Sequence, residues 1–198
     1  MHWSDIVMMV GIIIISTYIF TRVLGDIKYT ISKISIIRSS TLDDLRYNDA
    51  AWKNNRKEWV DAMCYIMENN KVIQETKVFR WFDSGDLQGE VMLDDINEIA
   101  WRSGEIRFWL PTKEYVVVKN YSKEVASNLN IRISHPKLNS SYPSDALVDY
   151  SNSSIYKKDK LDEVPSGAKV CPATMPGNPR MCGDCRNCWD PSVNEVVY

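Results

Sequence analysis

Four of the five cysteines in this 198-residue chain lie within its last 28 residues. Cys171 precedes Pro172, and after a gap come Cys182, Cys185 and Cys188, a C-x2-C-x2-C run. Thiolates are soft ligands that select iron–sulfur clusters, zinc and copper over hard cations. Three of them at two-residue gaps can turn toward one centre, because Gly183 and the short intervening loops let the backbone wrap it. An iron–sulfur cubane takes four thiolates and often uses such a run with a remote Cys-Pro. A structural zinc site also takes four thiolates, but more often from two separated C-x2-C pairs. Here the triplet is consecutive and the Cys-Pro lies upstream, the reverse of the ferredoxin order. The spacing therefore favours a 4Fe–4S cluster on Cys171, Cys182, Cys185 and Cys188, with zinc as the alternative. Disulfides or free thiols are the plain third reading, and disulfides need an oxidising compartment that nothing in the sequence indicates. Cys64 sits on the inward face of a predicted helix and reads as a buried apolar residue.

The elements that must position these groups follow from hydrophobic period. Trp52, Arg56, Trp59, Val60, Met63, Cys64 and Met67 recur at the three-and-four spacing of an amphipathic helix over 52–69. Strands are predicted at 78–82, 106–110 and 129–134, and helices at 89–102 and 112–125, with Pro111 and Pro136 closing strands. Helix and strand alternating about every 25 residues is the pattern of parallel βα units with right-handed crossovers. The expected fold class is α/β, a partial TIM-type barrel of parallel βα units with an irregular Cys-rich C-terminal tail. The domain reading is a hydrophobic segment over 1–25, a βα-repeat domain over 40–136, a polar loop or linker over 137–168, and a metal-binding tail over 169–198. A brief strand is expected within that linker at 146–150, and another strand at 27–37 ahead of a break at 39–44.

In parallel α/β folds ligands gather beyond the carboxyl ends of strands. Those ends supply Asp83, Ser84 and Asp86, then Thr112, Lys113 and Glu114, then His135. Asp83, Asp86, Lys113 and His135 are the candidate catalytic groups, and Asp83, Ser84, Asp86, Thr112 and Glu114 the candidate cofactor-binding groups. Turn chemistry alone also explains these residue types, since Asp83 and Asp86 flank Ser84 and Gly85. No nucleophile elbow, phosphate-cradling glycine loop or His-rich zinc motif is present.

Composition narrows the class. Hydrophobic residues at 44% and charged residues at 25% fit a globular domain. Lys and Arg number 24 against 26 Asp and Glu, a net charge of −2 that gives no electrostatic basis for holding a nucleic-acid backbone. The partner is accordingly an unspecified small molecule or protein. Residues 6–21 carry no charge; as a helix they would span roughly 24 Å, short of the roughly 30 Å hydrocarbon core. Extension to Leu24 with Arg22 snorkelling nearly closes the gap. A membrane anchor over 6–24 therefore stands beside a buried β-branched strand, and Arg22, Lys28, Lys33 and Arg38 would leave the main domain cytoplasmic. The acidic start, MHWSD, argues against a cleaved secretory signal.

Three blocks carry a family resemblance: FRWFDSGDLQ (79–88), IRFWLPTKEY (106–115) and VCPATMPGNPRMCGDCRNCWDPSVNEVVY (170–198). In order and spacing they resemble the phage gene product 88 family, over roughly residues 45–198. That family looks like a divergent relative of radical-SAM-type barrels. The resemblance implies βα units around reductively cleaved S-adenosylmethionine, an N-terminal three-cysteine motif for the catalytic cluster, and closing cysteines for an auxiliary cluster. The sequence departs from this pattern: no Cys precedes Cys64, Phe82 stands where a His is common, and Lys113 where Arg is usual. Three predicted βα units also make only part of an eight-unit barrel. The expectation is a phage-type protein in the host cytoplasm that holds a metal centre, as a degenerate or truncated radical-SAM-like redox enzyme; the alternatives are a non-enzymatic binding module with zinc and a membrane-tethered interaction protein.

Overall fold

Residues 50–82, 86–142, 150–175, 177–178 and 182–198 are described by the structure, a computed structural model. The chain divides into two compact units, Met1–Ala62 and Met63–Tyr198. The first is described over residues 50–62, which are largely helical. The segments read as anchor, first strand and break, residues 6–24, 27–37 and 39–44, lie outside the described residues. Among the described residues no helix is long and apolar enough to cross a membrane.

Helix α1 (Arg56–Asn69) follows the predicted period, and Met63, Cys64, Ile66 and Met67 along it are buried. Asn70 ends it and caps the next helix, α2 (Lys71–Thr76), by accepting a 3.1 Å bond from the Ile73 amide on its side chain. Strand β1 (Val78–Arg80) follows, then helix α3 (Glu90–Arg102), strand β2 (Arg107–Thr112), helix α4 (Tyr115–Asn120) and strand β3 (Leu129–Ser134). The remaining strands are β4 (Ser151–Ser154), β5 (Lys169–Val170) and β6 (Glu195–Val197). All six are parallel in the order β1-β2-β3-β4-β6-β5 and form a curled half-barrel.

The α/β class and the parallel sheet agree with the sequence; the regular repeat does not run the length of the chain. Sequential βα units would set β5 beside β4, yet β6 lies between them. The segment read as a linker supplies β4 to the middle of the sheet. Helix α4 has six residues rather than the fourteen expected over 112–125: β2 continues through Pro111 to Thr112 at one end, and the backbone turns extended at Tyr121 at the other. Pro111 is tolerated there by position. The Trp81 amide donates to the Trp109 carbonyl, so Trp109 and Pro111 direct their backbone groups toward β1, whose last paired residue is Arg80 opposite Trp109. The missing proline N–H thus falls beyond the end of β1 and removes no ladder bond.

Register sorts the side chains onto two faces. Phe108, Leu110 and Thr112 share one with Leu129, Ile131 and Ile133, where Trp81 stacks on Phe108 at 6.1 Å. Arg80, Trp109, Asn130, Arg132, Ser134, Ser151, Ser153 and Val196 share the other. That second face is unusually polar, and its hydroxyls and amides pair across strands: Ser151 donates to Asn130 Oδ1 at 3.0 Å, and Ser134 and Ser153 meet at 3.2 Å.

Two asparagines fix the connections at the amino end of β3. Asn128 donates from one side-chain nitrogen to the carbonyls of Ala100, Ser103 and Ile106. Buried Asn97 accepts from the Ala126 amide at 2.8 Å and donates to the Glu124 carbonyl at 2.8 Å. Asn97→Leu would strand both backbone groups, at a cost of about 1–3 kcal/mol in urea unfolding. Lys123→Ala, which removes the partner of Asp94 in an exposed ion pair, costs under about 1 kcal/mol. Equal effects from the two substitutions would contradict the assignment.

Candidate functional site

The carboxyl ends of β1 and β2 meet through Asp86. Its Oδ1 accepts from Thr112 Oγ1 at 2.5 Å and from the Leu87 amide at 2.8 Å, while Oδ2 accepts from the Lys113 amide at 2.8 Å. Thr112 Oγ1 accepts in turn from the Glu114 amide at 3.0 Å. Asp86, Thr112, Lys113 and Glu114 are thus brought together as a lock between two loops, with Lys113 and Glu114 exposed. His135 is engaged elsewhere. Its Nδ1 lies 3.0 Å from the Lys137 carbonyl and 3.1 Å from the Lys137 amide, and its ring meets Tyr142 edge-on at 4.6 Å. Asp83 and Ser84 lie outside the described residues.

The four C-terminal cysteines are all free of disulfides. Cys171 leaves the carboxyl end of β5, its amide bonded to the Val197 carbonyl at 2.7 Å. Its own carbonyl accepts from the Thr174 amide and hydroxyl. Cys188 lies in a short 3-10 turn, Asn187–Trp189, against β2 and β3. Both thiols belong to one buried group with Trp109, Trp189 and Val196, against which Tyr198 packs. Cys182 is exposed and Cys185 half-buried. They are joined by a turn in which the Cys185 amide bonds the Cys182 carbonyl at 3.0 Å, with Gly183 at φ +53° supplying the left-handed residue. Arg186 closes that turn by donating to the carbonyls of Gly183 and Cys185.

Two cysteines are therefore seated in the core and two ride on a tight outer turn. They lie within one another's electrostatic reach. Burial, and then the nearby Cys182 and Cys185, push the Cys171 thiol up. Burial pushes Cys188 up to about 11, with Cys171 and Cys182 adding to it while Tyr198 and Arg132 oppose it. Among the described residues, no three His, Cys, Asp or Glu side chains are already disposed to hold a metal ion. The donor chemistry nonetheless fits a thiolate centre, and two buried donors nearby lack acceptors. Trp109 Nε1, in the same buried group, and Arg132 Nε have no hydrogen-bond partner.

Arg132 is fully buried, on the polar face of the sheet. Its guanidinium donates to backbone carbonyls of Asn152 at 2.7 Å, Val193 at 3.0 Å and Asn187 at 3.1 Å, with longer contacts to Asp190 and Asn194. Asn130, two residues earlier, donates to the Cys188 carbonyl at 2.9 Å. Trp189 Nε1 reaches the Phe79 carbonyl at 2.9 Å. Residues 187–194 are thus held on the sheet by side chains that grip backbone. Burial lowers the Arg132 pKa, and the nearby Tyr198, Cys188, Asp190 and Glu195 raise it. Sequence reasoning passed over Arg132, Trp109, Asn130 and Tyr198. The available signal was the alternation of Asn130, Arg132 and Ser134 with Leu129, Ile131 and Ile133, a polar face inside a buried strand. Arg132→Met would leave these carbonyls without a donor, and urea unfolding should show a loss of more than about 3 kcal/mol. A loss under about 0.5 kcal/mol would contradict the role.

The family model described as Gene product 88 matches residues 29–191. No curated protein and no solved structure matches the chain, and these comparisons lend no support to the radical-SAM resemblance. The family match takes in five of the six strands, all but β6, together with the loop lock at Asp86 and all four closing cysteines, and on that span the chain belongs to the gene product 88 family.

Proposed function

We propose that this protein binds a metal centre, an iron–sulfur cluster, through Cys171, Cys182, Cys185 and Cys188. The observation that carries the reading is the arrangement of these four thiols. All are unpaired, two are anchored in the core, and two sit on an outer turn whose charge the anchored pair feels. Neighbouring thiols are unfavourable as bare thiolates and favourable as ligands, because a cation removes the repulsion between them while displacing the protons. Metal binding would draw the Cys182–Cys185 turn toward the fixed pair, so that ligation and ordering of the tail are one event.

Zinc is the second reading. It is favoured by a set made only of cysteines, which closes a tetrahedral site and leaves no open position for substrate. In that form the metal staples the Cys182–Cys185 turn to the sheet-bound part of the tail, and the domain acts as a binding module. The radical-SAM-like reading would add S-adenosylmethionine at the strand ends. There Asp86 and Thr112 already spend their polar atoms on each other and on neighbouring amides, which weighs toward the non-enzymatic form.

Metal and acid-labile sulfide analysis of full-length chain purified without oxygen separates these readings. About four iron and four sulfide per chain supports the cluster, and about one zinc without sulfide supports the staple. Cys182→Ser combined with Cys185→Ser should abolish either. Absence of both metals, or full retention in the double variant, would overturn the proposal.

A further inference from the structure

Three donors converge on the cysteine-bearing core, and the metal reading does not by itself require any of them. Tyr198 Oη lies 3.1 Å from Cys188 Sγ. Its ring stacks on Trp109, 6.3 Å between centroids at 14°, so the hydroxyl is held in place by packing. Trp109 in turn meets Trp189 edge-on at 5.3 Å, and carries the buried, unpartnered Nε1 in the group that contains Cys171 and Cys188. Arg132 contributes a buried positive charge within electrostatic reach of Cys188 and Tyr198. Its hydrogen bonds go to neutral backbone carbonyls, and its Nε has no partner. A buried cation and two aromatic donors around a thiol describe a surrounding prepared for negative charge on sulfur.

We infer that Tyr198, Trp109 and Arg132 form a donor layer that hydrogen-bonds and neutralises the sulfur atoms of the proposed thiolate centre at its Cys171–Cys188 side. This rests on the metal reading above and deepens it. Four thiolates on a divalent ion carry two net negative charges, and burying that charge is costly without nearby donors. Donors to ligand atoms fix their orientation and tune the metal, and their loss typically costs 10- to 100-fold in metal affinity. Tyr198 is the member best placed to be tested, since removing one oxygen leaves its stacking on Trp109 intact. None of the three is a ligand; they are positioning residues.

The test uses full-length chain, loaded separately with Co(II) and with iron plus sulfide under anaerobic conditions. Tyr198→Phe and Trp109→Phe keep ring packing and remove one donor each. Tyr156→Phe is the control, because its hydroxyl lies 3.0 Å from Ser141 and not beside a cysteine. For each of the first two, Co(II) affinity should fall about tenfold, the sulfur-to-cobalt charge-transfer band should move to lower energy, and the cluster potential should become more negative. The control should move none of these. Wild-type chain that takes up neither Co(II) nor a cluster would remove the metal reading and this inference together. Loaded wild type with unshifted band and potential in Tyr198→Phe would overturn the donor layer alone, as would an equal shift in the control.

Discussion

The guanidinium of Arg132 is the interaction on which this arrangement rests. A charged group with no exposed surface needs polar partners, and here both terminal nitrogens of the guanidinium find them in backbone carbonyls of a strand, a 3-10 turn and the loop leading into β6. Because an arginine presents donors in a rigid fork, it fixes where those carbonyls lie relative to one another. The position of Cys188 follows from the same grip, aided by Asn130 on the Cys188 carbonyl. An apolar plug over β2 and β3 would cover the sheet equally well and set no such geometry.

That constraint links the order of strands to the chemistry of the tail. Insertion of β6 between β4 and β5 brings Tyr198 and Cys171 to neighbouring strand ends and threads residues 187–194 across the polar face. The tail is therefore part of the sheet's packing. Its two inner cysteines inherit the rigidity of the core, whereas Cys182 and Cys185 depend on a local turn built by Gly183 and Arg186.

What was legible in the sequence depended on whether apolar period carried the signal. Ile131 and Ile133 in β3, Phe108 and Leu110 in β2, and the Met92–Ile96–Ile99 stripe of α3 all declare themselves by spacing. Strand β4 does not, because Ser151, Asn152, Ser153 and Ser154 are buried or half-buried through hydrogen bonds, to Asn130, Ser134 and Glu195 among others, and a polar run reads as a loop. Helix α4 keeps the β-branched Val116–Val118 but ends at Asn120 rather than 125, because Glu124 and Ala126 give their backbone groups to Asn97, a contact no local pattern announces. The same holds for the site: the cysteine run is visible in the sequence, whereas Arg132, Trp109 and Tyr198 become relevant only once the strands are paired. Asp86 and Thr112, visible at the strand ends, serve first as a lock between loops.

In the proposed centre, sulfur from these cysteines surrounds one metal or cluster. X-ray absorption at the metal edge, on chain purified without oxygen, reads the neighbours of that metal directly. The account predicts a shell of sulfur atoms at about 2.3 Å, the distance of metal–thiolate bonds, with a further metal shell if the centre is a cluster. A shell of lighter oxygen or nitrogen atoms would contradict it.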